Sequence, residues 1–164
     1  MVTILKTTKT ERFIRNVYII AFILLFAAYL ITLYAKKQLE RQVARVELTN
    51  SIIKNLDNLL LKIVDGETGL RGYVITKNPE FLDPYTGSIK MADSFYNVLT
   101  RLTNDDPGQQ TRLTNLKVDI EKRFEQFSFG VRSFEINNDQ VSDSMRHRQF
   151  EAKNTMDSIR AGIG

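Results

Sequence analysis

Apolar positions along this chain follow two patterns, one continuous and one periodic. Residues Val17 to Ala35, VYIIAFILLFAAYLITLYA, are 19 consecutive positions without a charge. At 1.5 Å per residue the run spans about 29 Å, close to the hydrocarbon thickness of a bilayer. A buried core helix seldom runs this long while apolar on every face. A cleaved signal peptide is the nearer competitor, because a short basic leader precedes the run, but its apolar part is usually about 7 to 15 residues long. The run also ends in Leu33-Tyr34-Ala35-Lys36-Lys37, with no clear small-x-small cleavage site. The pattern therefore predicts an uncleaved transmembrane helix over 17–35, whose tyrosines, Tyr18, Tyr29 and Tyr34, include both ends of the run, where amphipathic rings sit at the membrane interface.

After the run, apolar residues recur in steps of three and four at Leu39, Val43, Val46, Ile53, Leu56, Leu60 and Ile63, apart from a gap at Asn50. This is the seam of a bundle or coiled coil. Nothing breaks it before Asn78-Pro79, so one helix is predicted from the membrane to about Thr76, its extramembrane part about 60 Å long. A second helix is predicted from Pro79 or Pro84 to about Thr103, with Tyr85, Ile89, Ala92, Phe95, Leu99 and Leu102 inward. The Asn104-Asp105-Asp106-Pro107-Gly108 turn separates it from a third, from about Gln109 to Ile136. Its inward stripe is read as Leu113, Leu116, Ile120, Phe124, Phe127, Val131 and Phe134. Asn137-Asn138-Asp139 marks the next break. A fourth helix, the weakest, carries Val141, Met145, Gln149, Ala152, Met156, Ile159 and Ile163 along one face.

Short connections between long amphipathic helices imply antiparallel neighbours. The expected fold is all-α: an N-terminal transmembrane helix followed by an up-down-up-down four-helix bundle, with no credible strands. Helix one would leave the membrane for about 60 Å while residues 140–164 return only about 37 Å, a shortfall of roughly 15 residues. The bundle is thus expected to continue towards a second membrane helix.

One segment breaks the rules of a plain helix. DGETGLRGYVITKNPEFLDPY, from Asp65 to Tyr85, contains glycines at 66, 69 and 72, each destabilising a helix interior by roughly 1 kcal/mol relative to alanine. Their spacing of three confines them to one side of the helix, where they serve either as a close-packing surface, the preferred reading, or as a hinge. Glu67 and Arg71 stand at i and i+4 with the acid first, the favourable order for an intrahelical ion pair. If exposed, such a pair contributes about 0.3 to 0.5 kcal/mol; if buried, losing either partner costs about 3 to 5 kcal/mol. Asp65 and Glu67 diverge by about 160° on a helix, so they cannot chelate one ion; one is expected to act within the bundle and the other across it.

These residues resemble a known family. Asp65, Glu67, Thr68, Gly69, Arg71, Gly72 and Tyr73, then Thr76, Phe81, Leu82, Pro84 and Tyr85, look like the signature of the third class of CHASE domain, the cyclase/histidine-kinase-associated sensory extracellular domains. Weaker similarity continues through Asp106-Pro107-Gly108-Gln109-Gln110 and Met156-Asp157-Ser158-Ile159-Arg160. The resemblance covers about residues 36 to 164. It implies an extracytoplasmic sensory domain of a bacterial transmembrane receptor, most often a histidine kinase.

Charge adds orientation. Residues 1–16 hold four Lys or Arg against one acid, whereas residues 36–164 hold 19 against 18. The near-neutral main domain removes the case for a nucleic-acid partner. Lys36, Lys37, Arg41 and Arg45 balance the tail's charge, so the positive-inside rule alone does not orient the helix. The short tail and the resemblance together favour a cytoplasmic tail over 1–16, a span over 17–35 and an extracytoplasmic domain over 36–164, anchored in a bacterial inner membrane.

Candidate chemistry is sparse. Cysteine is absent, which excludes disulfides, thiolate metal sites and thiol nucleophiles. The single histidine, His147, lies within Arg146-His147-Arg148 on a polar face without a paired nucleophile. GETGLRG has neither Walker spacing nor the strand that precedes a dinucleotide fingerprint. Asp105 and Asp106 read as a turn and helix cap rather than a metal site. Phe124, Phe127 and Phe134 read as core, with a ligand pocket as the alternative. No catalytic residue, cofactor or metal is expected in these residues, and no donor cluster singles out a ligand. The seam leaving the membrane predicts a homodimer through helix one. The resemblance implies signal input to a histidine kinase through shifts in helix packing; a chemoreceptor or cyclase sensor, or a tethered adhesive bundle without signalling, is the competing reading.

Overall fold

A computed structural model describes residues 9–138 and 140–164. Half of the expected basic tail, residues 1–8, lies outside the described residues, as does Asp139 of the predicted third break. Four α-helices form: α1 Lys9–Thr76, α2 Asp83–Leu102, α3 Pro107–Ile136 and α4 Asp143–Ile163. A short 3-10 turn, Pro79–Leu82, leads into α2, and no strand occurs among the described residues. By its packing the chain divides into two units, Met1–Glu47 and Leu48–Gly164.

In the first unit, the described stretch of α1 holds the expected apolar run. Phe22, Leu25, Ile31 and Tyr34 are all exposed. The run belongs to the one helix among the described residues that is long and apolar enough to cross a membrane, its apolar 18-residue window having a mean hydropathy of 2.4.

The second unit is a four-helix bundle. Its core is built from Leu59 and Ile63 of α1, Ala92 and Leu99 of α2, Leu116, Ile120 and Phe127 of α3, and Met156 and Ile159 of α4. Each large apolar side chain buried in this way contributes about 1.5–3 kcal/mol. Phe134 lies at one end, edge-on to the buried Tyr73 ring with centroids 5.5 Å apart.

Local chemistry ends and restarts the helices where the sequence places its turns. α1 stops at Thr76 because Lys77 takes a left-handed backbone, φ 58°, whose N–H donates to the Tyr73 carbonyl at 2.8 Å. Asn78 then accepts from the Glu80 N–H at 3.0 Å, and Pro79 follows where a missing N–H loses no helical bond. Asp106 caps α3 by accepting from Gln109 N–H at 3.0 Å, as its place in the turn predicts. Ser142 caps α4 through Met145 N–H at 3.3 Å.

The inward faces differ from the sequence expectation at particular positions. On α3 the buried stripe runs Leu113, Leu116, Ile120, Arg123, Phe127, Gly130 and Phe134. Phe124 and Val131, expected inward, sit half-buried at its edge, because regular three-four alternation assigns their places to a charged residue and a glycine. On α1 the fully buried position is Leu59 rather than Leu60. On α2, Ser88 takes the inward place expected of Ile89, its hydroxyl donating to the Tyr85 carbonyl at 2.7 Å. On α4, Gln149 is exposed, Val141 precedes the helix and is exposed, and Thr155 is buried. Leu39, Val43, Val46 and Ile53 of the predicted seam are all exposed.

Candidate functional site

The Asp65–Tyr85 segment covers the last turns of α1, the connection and the first turn of α2. Gly69 and Gly72 face that connection, and Gly66 faces Ser88 of α2. A β-carbon at Gly66 would meet the Ser88 hydroxyl at 2.7 Å, and one at Gly69 would meet the Phe81 carbonyl oxygen at 2.6 Å. One at Gly72 would run into the Phe81 ring. Gly69 therefore lets α1 approach the connecting backbone more closely than any side chain allows, while Gly66 and Gly72 make room for the Ser88 and Phe81 side chains. On the opposite rim Gly130 of α3 lies beside Leu70, where a β-carbon would stand 3.0 Å from the leucine methyl.

The remaining signature residues divide between packing and solvent. Tyr73 is buried. Tyr85 packs edge-on against Phe127 at 6.1 Å, and its hydroxyl shares a 2.8 Å hydrogen bond with Ser128. Pro84 is exposed, although its Cβ lies 3.6 Å from where a Gly69 side chain would begin. Thr68 is exposed. Asp65 pairs along its own helix with Lys62 at 2.7 Å.

Glu67 acts in both directions. One carboxylate oxygen accepts from Arg71, the expected i,i+4 partner, whose side chain remains 74% exposed. The other accepts from Nη2 of Arg123 on α3 at 3.0 Å, and that arginine side chain is only 7% exposed. Arg123 Nη1 donates to Gln126 Oε1 at 3.3 Å, and Gln126 Nε2 donates to the Thr155 hydroxyl of α4 at 3.1 Å. Thr155 in turn donates to the Glu151 carbonyl at 3.0 Å. A continuous polar layer thus joins α1, α3 and α4.

Arg123 is the buried member on which this layer depends. Its guanidinium lies over the Phe127 ring, 4.3 Å from the centroid. Burial lowers its proton affinity below the ordinary arginine range, a shift opposed by the hydrogen bond and charge of Glu67. The Nε–H is buried with no acceptor among the described residues. A buried pair of this kind adds little net stability but penalises any packing that separates its members, because an unpaired buried charge is costly.

Sequence reasoning found Glu67 and missed Arg123. The signal was present: spacing at 113, 116, 120, 123, 127, 130 and 134 alternates three and four more regularly than the apolar stripe through Phe124 and Val131. Among the described residues, no three His, Cys, Asp or Glu side chains group as a metal site would require. His147 is exposed on α4.

Behind the layer, α1, α3 and α4 enclose a cleft of about 690 Å³. Its lining includes Leu70, Phe127 and Met156 together with Arg71, Arg148, Lys153 and Arg160.

Neither the curated proteins nor the solved structures gave a match to this chain. The family model of the CHASE3 domain matches residues 42–164, a range that takes in the glycine surface, the Glu67–Arg123 layer and the cleft. The chain therefore belongs to the CHASE3 domain family, the extracellular sensory domains of membrane receptors.

Proposed function

We propose that this chain is the signal-input domain of a membrane-bound sensor histidine kinase in the bacterial inner membrane, with its N-terminal tail cytoplasmic and its bundle outside. The observation that carries the transmission mechanism is the Glu67–Arg123–Gln126–Thr155 layer, which couples α1 to α3 and α4. A stimulus favours one of two packings of these helices, and α1 and α4 pass the difference on as a small sliding or rotation. A preference of about 1–3 kcal/mol between the packings is enough for a 5- to 150-fold change in their ratio.

Two copies of the chain pair along α1. The exposed Leu39, Val43, Val46 and Ile53 support this, because an apolar three-four seam left uncovered in one copy is suited to a second. Membranes carrying the receptor should transfer phosphate from ATP to histidine and should form a disulfide between copies through a cysteine engineered on α1 near Arg45. Val43→Glu with Val46→Glu should abolish the crosslink and the phosphorylation together. An unaltered crosslink removes the dimer, and absence of acid-labile phosphate in the parent membranes removes the kinase.

A further inference from the structure

The cleft between α1, α3 and α4 carries a positive excess that the domain taken as a whole lacks. Residues 36–164 are almost balanced, 19 cations against 18 acids, yet Arg71, Arg123, Arg148, Lys153 and Arg160 line the cleft against a single carboxylate, Glu67. That carboxylate is already shared between Arg71 and Arg123. Lys153 and Arg160 likewise share one acid, Asp157. Arg148 has no carboxylate partner among the described residues; its guanidinium lies 4.0 Å from the Phe129 ring centroid. Under-neutralised cations around a low-dielectric hollow concentrate a field that attracts an anion.

Depth separates the two chemistries. The apolar surface of the cleft comes from the half-buried Leu70, Val74, Phe129, Met145 and Ala152, with Phe127 and Met156 buried behind them, and the buried cation, Arg123, is engaged by Glu67 and Gln126. The exposed cations stand at the mouth: the side chains of Arg71, Lys153 and Arg160 are 74%, 69% and 54% exposed. A charged head at the mouth and an apolar body inside satisfy both regions. The volume of about 690 Å³ lies within the range of small-molecule sites, about 300–1,000 Å³.

We propose that this cleft is the sensor's ligand site and takes a small organic carboxylate, its head held by Arg148 and Lys153 and its apolar body against Leu70 and Met145. This rests on the sensory reading above and names the ligand class for it. An occupant would touch α1, α3 and α4 at the level of the Glu67–Arg123 layer, so binding would act on the packing that transmits the signal.

Calorimetric titration of the full chain in lipid nanodiscs tests the site. Hexanoate should bind saturably, while hexanamide, hexylammonium and acetate, each lacking either the negative charge or the chain, should bind at least tenfold more weakly. Arg148→Gln with Lys153→Gln, both at exposed positions, should weaken hexanoate at least tenfold without lowering the melting temperature. Ala152→Phe, which fills the cleft, should do the same by occlusion. No heat with hexanoate, equal binding of hexanamide or acetate, or binding indifferent to the glutamine pair would overturn the assignment. If binding fails while receptor membranes still crosslink along α1 and phosphorylate, the ligand site alone is lost; if all three fail, the receptor reading falls with it.

Discussion

Glu67→Ala is expected to destabilise the bundle by about 3 kcal/mol, because it strands the Arg123 guanidinium, 7% exposed, without a counter-charge. Arg71→Ala, which removes the other partner of the same carboxylate, should cost less than about 0.5 kcal/mol, since that side chain is 74% exposed and solvent replaces its contact. The i,i+4 pair is therefore half surface and half interior, and its important partner is on another helix. Glu67→Leu combined with Arg123→Met should recover most of the loss, because replacing both members of a buried pair with apolar groups is often neutral or stabilising. Urea melts of the unsubstituted chain, Glu67→Leu, Arg123→Met and the double variant give the coupling directly. A Glu67→Ala loss below about 1 kcal/mol, or additivity of the two substitutions, would show that the layer does not fix helix register.

Gly69→Ala is expected to cost about 2 kcal/mol, although alanine is the better helix former by about 1 kcal/mol. The new methyl would stand 2.6 Å from the Phe81 carbonyl oxygen, a backbone atom that cannot rotate aside, so α1 must move away from the connection. Gly87→Ala supplies the contrast within the same fold. No atom lies within 4 Å of the β-carbon it would add on α2, so only the propensity gain remains. It should stabilise the bundle by about 1 kcal/mol. If Gly69→Ala is also stabilising in urea melts, the glycine surface is not a packing surface and the hinge reading takes its place.

Much of this arrangement is legible in the sequence, and the exceptions have a common cause. Asn78-Pro79 and Asp106-Pro107 place the helix ends because they act locally, through a missing N–H and a capping carboxylate. The glycine spacing gives the side of α1 that approaches its neighbour without giving the neighbour. Arg123 is not legible because the apolar Phe124 and Val131 compete with the stricter periodicity, and its burial depends on Glu67, 56 positions earlier in the chain. No local pattern carries that pairing. The same limit applies to the cleft: Arg71, Arg148 and Lys153 read one at a time as solvated charges, and only the packing of α1, α3 and α4 shows how few acids accompany them.

We propose that the bundle lies outside the membrane and the tail inside, and the absence of cysteine from the chain makes this directly measurable. Single cysteines at Val118, 60% exposed on α3, and at Lys9, at the start of α1, each report one location. With a small membrane-impermeant maleimide, Val118→Cys should label in intact cells and Lys9→Cys only after lysis. Labelling of Lys9→Cys in intact cells with Val118→Cys protected until lysis would contradict the account.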